Sequence, residues 1–297
     1  MIHENILRYR GGRYAWWALG LIVLSVAIYA TQGGRQQPGG GTWQGYVLGT
    51  AGALLIVWLT LLGVRKRRYS SNLGSVQGWT SAHVWLGLAL ALVATLHCAG
   101  HFGWNVHTLA YVLMCAVILS GILGLYVYLS TPRQLAANSD GRSRSALFAE
   151  LFDLDRKGRE LAKVCDPGVN IAVKSSIERT SIGGGVWRQL LGVDHSLFMR
   201  ADSVADAGAA ALVSNADQQG VIDQVAQRVP QAAKRAEAGN LQALIVLLCR
   251  RQAVLRRIRR DIQLQGWLRL WLYIHVPLTF ALLAALIVHI MSTFMYW

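Results

Sequence analysis

Five apolar segments dominate this sequence, and each is long enough to cross a membrane. They cover residues 14–30, 46–64, 79–101, 106–129 and 267–297. The first four contain no Asp, Glu, Lys or Arg, and the fifth contains only Arg269. About 17–25 apolar residues in a helix span the hydrocarbon core of a bilayer, and only 15% of the 297 residues are charged. The sequence therefore predicts an all-α membrane protein with five transmembrane helices packed as a bundle.

The formal net charge of +14 is distributed so that it predicts the topology. Basic residues precede the first segment, separate the second from the third at residues 65–68, and number 20 in residues 131–266. The alternate loops carry only Arg35. Because cytoplasmic loops collect Lys and Arg, we expect the inner (cytoplasmic) membrane, a cytoplasmic N-terminus and an external C-terminus. Attraction to anionic lipid headgroups is a secondary effect, and nucleic acid is not an expected partner.

Composition divides the chain into three parts: residues 1–130 with the first four spans, residues 131–266 as a mostly helical cytoplasmic insertion, and residues 267–297 as the fifth span. In the insertion, leucines at helical spacing predict an amphipathic helix over residues 145–164. Two more helices are expected near residues 202–213 and 220–238.

Three further features of the insertion carry structural expectations. Val169, Ile171 and Val173 alternate with small or polar residues after an Asp-Pro-Gly turn, which predicts a short strand. Pro132 and the turn residues Asn138-Ser139-Asp140-Gly141 are expected to mark the exit from the fourth span. From Leu241 onward, arginines interleave with leucines, which predicts a basic amphipathic helix leading into the fifth span.

Two pairs of histidines with identical spacing lie inside the apolar segments. His83 and His97 are 14 positions apart in the third segment, and His275 and His289 are 14 apart in the fifth. Fourteen residues make about four helical turns and rise roughly 21 Å, so both members of a pair share one helix face. Ionisable residues inside a membrane are costly and indicate function. The repeat of one spacing on two helices favours a cofactor role over packing.

The predicted topology pairs these histidines by depth. The third and fifth spans run in the same direction, so His83 and His275 lie in the inner half of the membrane, and His97 and His289 lie in the outer half. A haem iron takes axial ligands on opposite faces of its ring. The sequence therefore predicts two haem b groups, one held by His83 with His275 and one by His97 with His289.

Small and basic residues supply further candidate haem contacts. Gly49 and Gly63 repeat the interval of 14 on the second span, and the fourth span carries Gly121 and Gly124. Close approach of a macrocycle is one interpretation of these glycines, and ordinary helix packing is the other. Arg269 lies two turns before His275 and is a candidate partner of an inner haem propionate.

Two helices with an H-x13-H pattern, preceded by a glycine pair of equal spacing, resemble the integral-membrane di-haem cytochrome b family. That family includes the cytochrome b of quinol–cytochrome c oxidoreductases, and b561-like and ferric-reductase-like proteins share the bis-histidine pattern. The resemblance covers the second to fifth spans. It implies that His83, His97, His275 and His289 are axial ligands of haem iron and that Gly49 and Gly63 contact haem. The sequence contains no P-E-W-Y quinol-site motif.

These observations predict a transmembrane electron-transfer subunit of a larger oxidoreductase complex. The basic region 131–266 is the expected docking surface for a flavoprotein, an iron–sulfur protein or a cytochrome c, and quinone is a further candidate cofactor. No residue is expected to be catalytic in its own right. The four cysteines form no C-x-x-C pattern, so covalent haem, iron–sulfur and structural zinc sites lack support.

Two other functions remain open from the sequence. One is a self-contained transmembrane reductase of an external acceptor such as ferric iron, in which His101 and His107 form the acceptor site. The other is a non-redox membrane protein whose histidines bind metal ions or pack against neighbouring helices.

Overall fold

The chain is described by a computed structural model for residues 6–32, 39–68, 72–200, 211–232 and 234–295, and it is 82% helical. In this part of the chain, nine α-helices and two short strands follow one another. They are α1 (Tyr9–Ala30), α2 (Trp43–Arg67), α3 (Val76–Cys98), α4 (Val106–Ser139), α5 (Arg144–Lys163), α6 (Pro167–Glu178), α7 (Val186–Leu191), β1 (Leu197–Arg200), β2 (Ala211–Ser214), α8 (Gln219–Arg228) and α9 (Arg235–Met295).

Five helical stretches among the described residues are long and apolar enough to cross a membrane, and they lie in α1, α2, α3, α4 and α9. The prediction of an all-α membrane protein with five membrane-spanning helices agrees with this architecture. The chain forms two compact units. The first comprises residues 1–125 and 271–297, and the second comprises residues 126–270.

Four helices enclose the apolar core of the first unit. Its buried side chains come from α2, α3, α4 and the last part of α9: Ile56, Leu59, Leu90, Met114, Leu282 and Leu286. The starts of α2 and α3 are fixed by side-chain caps, because the hydroxyls of Thr42 and Ser75 accept hydrogen bonds from the first-turn amides of Gly45 and Gly78, each at 3.1 Å. Each histidine of the two pairs is carried by a helix of this core.

The second unit corrects one prediction. Residues 169–173 are not a strand but part of α6, which Asp166 caps by accepting a hydrogen bond from Gly168 N and which Pro167 begins. Val169, Ala172 and Val173 are fully buried on one helical face. The alternation of apolar residues was misleading because it covers only five positions, too few to separate a period of 2 from one of 3.6.

Two other predictions for the insertion hold only in part. Residues 211–213, placed in a helix from the sequence, form part of β2, which pairs antiparallel with β1, and residues 202–210 lie outside the described residues. The helix expected over residues 220–238 is interrupted: α8 ends at Arg228, a 3-10 turn of Val229–Gln231 contains Pro230, and α9 begins at Arg235. Proline lacks an amide hydrogen and limits helix continuation at that point.

The two long helices, α4 and α9, extend beyond their apolar segments. The amphipathic helix α5 occupies almost the range predicted, and α9 runs unbroken for 61 residues from the basic segment into the last apolar segment. In contrast, α4 does not end at Pro132 but continues through it to Ser139, so it ends within the predicted turn of residues 138–141. In the second unit, Asn138 on this extension donates a hydrogen bond of 2.7 Å to the carbonyl of Arg257 on α9. Packing against α9 thus stabilises a turn that the proline weakens.

Candidate functional site

His97 and His289, the pair predicted in the outer half, lie face to edge between α3 and α9. The ring centroids of His97 and His289 are 6.0 Å apart, and the ring planes make an angle of 78°. At a metal–nitrogen distance of ~2 Å, two imidazoles on opposite faces of one iron place their centroids roughly 6 Å apart. The separation of this pair therefore fits two axial ligands of one haem.

His83 and His275, the pair predicted in the inner half, line one cavity inside the helix bundle, called the inner cavity below. His83 of α3 and His275 of α9 face this cavity, whose volume is about 110 Å³. Its other walls are nearly all apolar and come from α2, α3, α4 and α9. Cofactor pockets usually measure roughly 300–1,000 Å³, so insertion of a flat macrocycle here would widen the gap between these helices.

Backbone carbonyls of α2 orient the two histidines of α3. His83 Nδ1 lies 3.0 Å from the carbonyl oxygen of Leu59, and His97 Nδ1 lies 2.7 Å from that of Gly45. A carbonyl oxygen only accepts hydrogen bonds, so Nδ1 carries the proton and donates in both rings. This tautomer leaves the lone pair of Nε2 available to a metal.

Side chains of α4 orient the two histidines of α9. His275 Nδ1 lies 2.7 Å from the hydroxyl oxygen of Ser120, and that hydroxyl donates its own proton to the carbonyl of Val117 at 2.9 Å. Ser120 therefore accepts from His275. His289 Nδ1 lies 2.6 Å from Nδ1 of His107. One of these two nitrogens must donate and the other accept, because a bond cannot form between two lone pairs.

All four rings thus use Nδ1 for an orienting contact. Within the described residues, Nε2 of His83, His97, His275 and His289 has no hydrogen-bond partner. An imidazole with Nδ1 held by an acceptor and Nε2 left open is the arrangement of a metal-ligating histidine. The described residues contain no group of three or more His, Cys, Asp or Glu side chains that could hold a metal ion.

The two glycines predicted on the second span differ in their surroundings. A Cβ built on Gly49 would lie 2.6 Å from Cε1 of His97, so this position admits only glycine while His97 keeps its place. A Cβ built on Gly63 meets nothing within 4 Å, and Gly63 is exposed and does not line the inner cavity.

Other glycines adjoin the histidines more closely than Gly63 does. A Cβ on Gly121 would lie 3.6 Å from Cε1 of His275, and Gly121 and Gly87 both line the inner cavity. Gly124 leaves room for the indole of Trp271, which stacks at a tilt 5.5 Å from His275 and donates to the carbonyl of Ser120 at 2.9 Å. Glycines of α3 and α4 thus contribute to the space of the inner cavity.

The remaining polar candidates differ in their surroundings. Arg269 is exposed on α9, and His101 and His195 are exposed as well. His107, considered with His101 as part of an acceptor site, instead contacts His289. Sequence reasoning missed Ser120 as a partner and assigned His107 differently. Ser120 and His107 are 13 positions apart on α4, close to the 14 positions between His275 and His289 on α9, and this similarity was the available signal.

Comparisons with known proteins add no relative: the chain matches no protein-family model, no curated protein and no solved structure.

Proposed function

We propose that this protein binds two b-type haems and carries electrons across a membrane. One observation carries the proposal: four histidines in two depth-matched pairs have Nδ1 engaged and Nε2 open. Haem iron, when bound, exchanges single electrons with its neighbours. The axial ligands would be His83 with His275 and His97 with His289.

The number of ligands favours haem over a bare metal ion. Zinc and similar ions need about four ligands, at least three of them from the protein, and the described residues present no such group. Haem brings four equatorial nitrogens of its own and needs only two axial ligands. A pair of histidines from facing helices supplies that number.

The chain contributes position, orientation and exclusion of water. The histidines of each helix are 14 residues apart, which places the two sites roughly 21 Å apart along the helices, most of the ~30 Å hydrocarbon thickness. Carbonyls of Gly45 and Leu59 hold the rings on α3, and Ser120 and His107 hold those on α9. The apolar walls of the inner cavity keep water away from its two rings.

The wider role follows from the charge of the second unit. Residues 131–266 carry most of the basic side chains outside the apolar segments. Such a surface suits an acidic redox protein, so we propose a flavoprotein, an iron–sulfur protein or a cytochrome c as the partner, and quinone as a further electron carrier. In this proposal the protein is the cytochrome b subunit of an oxidoreductase complex in the inner membrane, with the N-terminus in the cytoplasm.

Spectroscopy of the purified full chain tests the haem proposal. A reduced-minus-oxidised spectrum is expected to contain a b-type α-band, and a pyridine haemochrome assay is expected to give two haems per chain. His83→Ala and His97→Ala should each reduce that number to one, whereas the exposed control His195→Ala should leave two. Absence of the α-band, or a single haem in the unaltered chain, would refute the proposal.

A further inference from the structure

A short apolar segment of the second unit is exposed among the described residues. In α7 and the residues after it, Val186, Trp187, Leu191 and Val193 are 63%, 72%, 67% and 47% exposed. Leu190, between them, is only 2% exposed. The segment thus attaches through one side and presents its other apolar side chains outward. An outward cluster of a Trp and three aliphatic side chains indicates an interaction surface.

The contacts of this segment with α9 show at which residues of that helix it lies. Gln263 Nε2 donates a hydrogen bond of 2.9 Å to the carbonyl of Leu190. A Cβ built on Gly266 would lie 3.4 Å from Leu190 Cδ2, so the leucine packs directly on the glycine. Gly192 ends α7 with a φ of +67° and lies against the side chain of Gln263. These three contacts with α9 all fall at residues 263–266.

That level adjoins the last apolar segment of α9. The last apolar segment begins at Trp267, the residue after Gly266. At a rise of 1.5 Å per residue, Gln263 lies only ~6 Å along the helix from Trp267. Tryptophan marks the headgroup level of membrane proteins. A side chain carried outward from residues 263–266 thus meets the headgroup layer.

The composition of the segment suits that layer. Trp187 has the amphipathic ring that prefers the interface, and Val186, Leu191 and Val193 provide a shallow apolar surface. Arg188 lies in the same helical turn and adds a charge that attracts anionic headgroups.

We propose that residues 186–193 insert into the headgroup layer of the membrane and tether the second unit there. The occupant of the exposed apolar face is lipid, because the segment is attached to α9 at Gln263 and Gly266, immediately before the last apolar segment begins at Trp267. The tether adds a third attachment to the two helices, α4 and α9, that enter the second unit. This inference does not depend on haem binding.

Quenching of a single label in the full chain tests this proposal. The four native cysteines are replaced by alanine, and Trp187→Cys is labelled with an environment-sensitive fluorophore after reconstitution into vesicles of phosphatidylcholine and phosphatidylglycerol. We expect strong quenching by nitroxide-labelled lipid and at least threefold weaker quenching by aqueous iodide than at the control site. Leu191→Cys provides a second, independent position.

Val246→Cys is the matched control. Val246 is also an exposed apolar side chain of the second unit, at 70%, but it lies 20 residues before Gly266 on the same helix. That distance is about 30 Å, so the label at Val246 should respond to iodide and not to the lipid quencher. Equal access of iodide to all three sites would overturn the proposal. Protection of Trp187→Cys and Leu191→Cys from both quenchers would overturn it too, since protein would then cover the face.

Discussion

His107 and His289 share a hydrogen bond of 2.6 Å between their Nδ1 atoms. The bond joins the start of α4 to a proposed haem ligand on α9. Its partner in the bond, His107, is exposed. The other three ligand candidates are held by two backbone carbonyls and a serine. His289 is therefore the one ligand candidate whose orientation depends on another titratable side chain.

Removal of that partner is expected to weaken the outer site. In His107→Ala, Nδ1 of His289 loses its hydrogen-bond partner, and loss of such an orienting contact typically lowers metal affinity 10–100-fold. We expect the haem-to-protein ratio to fall from two towards one, with the inner haem retained. His107→Gln offers a carbonyl oxygen and should restore part of the content. The exposed control His101→Ala should bind two haems, and an unchanged affinity in His107→Ala would contradict the positioning role.

Ser120→Ala tests the inner site in the same way. The substitution removes the hydroxyl that accepts from His275 Nδ1 and leaves the ring free to rotate. We expect a 10–100-fold loss of inner haem affinity and a shifted midpoint potential of that haem alone, measured by haem titration and potentiometry. Ser120→Thr retains the hydroxyl and is the matched control. Equal affinity and potential for all three chains would show that Ser120 does not position His275.

Gly49→Ala and Gly63→Ala form a matched pair on α2. The methyl group of Gly49→Ala would lie 2.6 Å from Cε1 of His97, and such overpacking typically costs about 1–3 kcal/mol. We expect the ring of His97 to move and the outer haem to be lost. Gly63 faces open space, so Gly63→Ala should leave both haems in place. Loss of the inner haem in Gly63→Ala would show that this glycine does contact haem, as the sequence suggested.

Arg251 is the buried centre of a hydrogen-bond network in the second unit. Its side chain is 1% exposed, and its Nε lies 2.5 Å from Asp155, whose side chain is 16% exposed. It also donates to Thr180 at 2.8 Å and to Gln218. Arg251→Ala leaves a mostly buried carboxylate unpaired, which should destabilise this unit by about 3 kcal/mol.

Limited proteolysis of the purified full chain measures this effect. Cleavage within residues 126–270 should accelerate strongly in Arg251→Ala. Arg250→Ala is the control, since Arg250 pairs with Glu150 at 2.8 Å but is 65% exposed, and an exposed ion pair contributes at most about 1 kcal/mol. Equal cleavage rates in the two variants would be inconsistent with a structural role of the buried pair.

The sequence determined the membrane-spanning helices and the positions of the paired histidines, because both are local properties. Apolar length fixes which segments can cross a membrane, and helical periodicity places His83 with His97, and His275 with His289, on common faces. The short pattern at residues 169–173 failed because five positions do not distinguish a strand from a buried helix face.

Only the tertiary structure decided what holds each ring. Every residue has a backbone carbonyl, so nothing in the sequence distinguishes those of Gly45 and Leu59 until α2 packs against α3. Ser120 and His107 become partners of α9 only through the register of two helices far apart in the chain. The direction of Gly63, away from the cavity that Gly121 lines, likewise depends on how α2 is rotated in the bundle. Helix packing, not local sequence, sets these relationships.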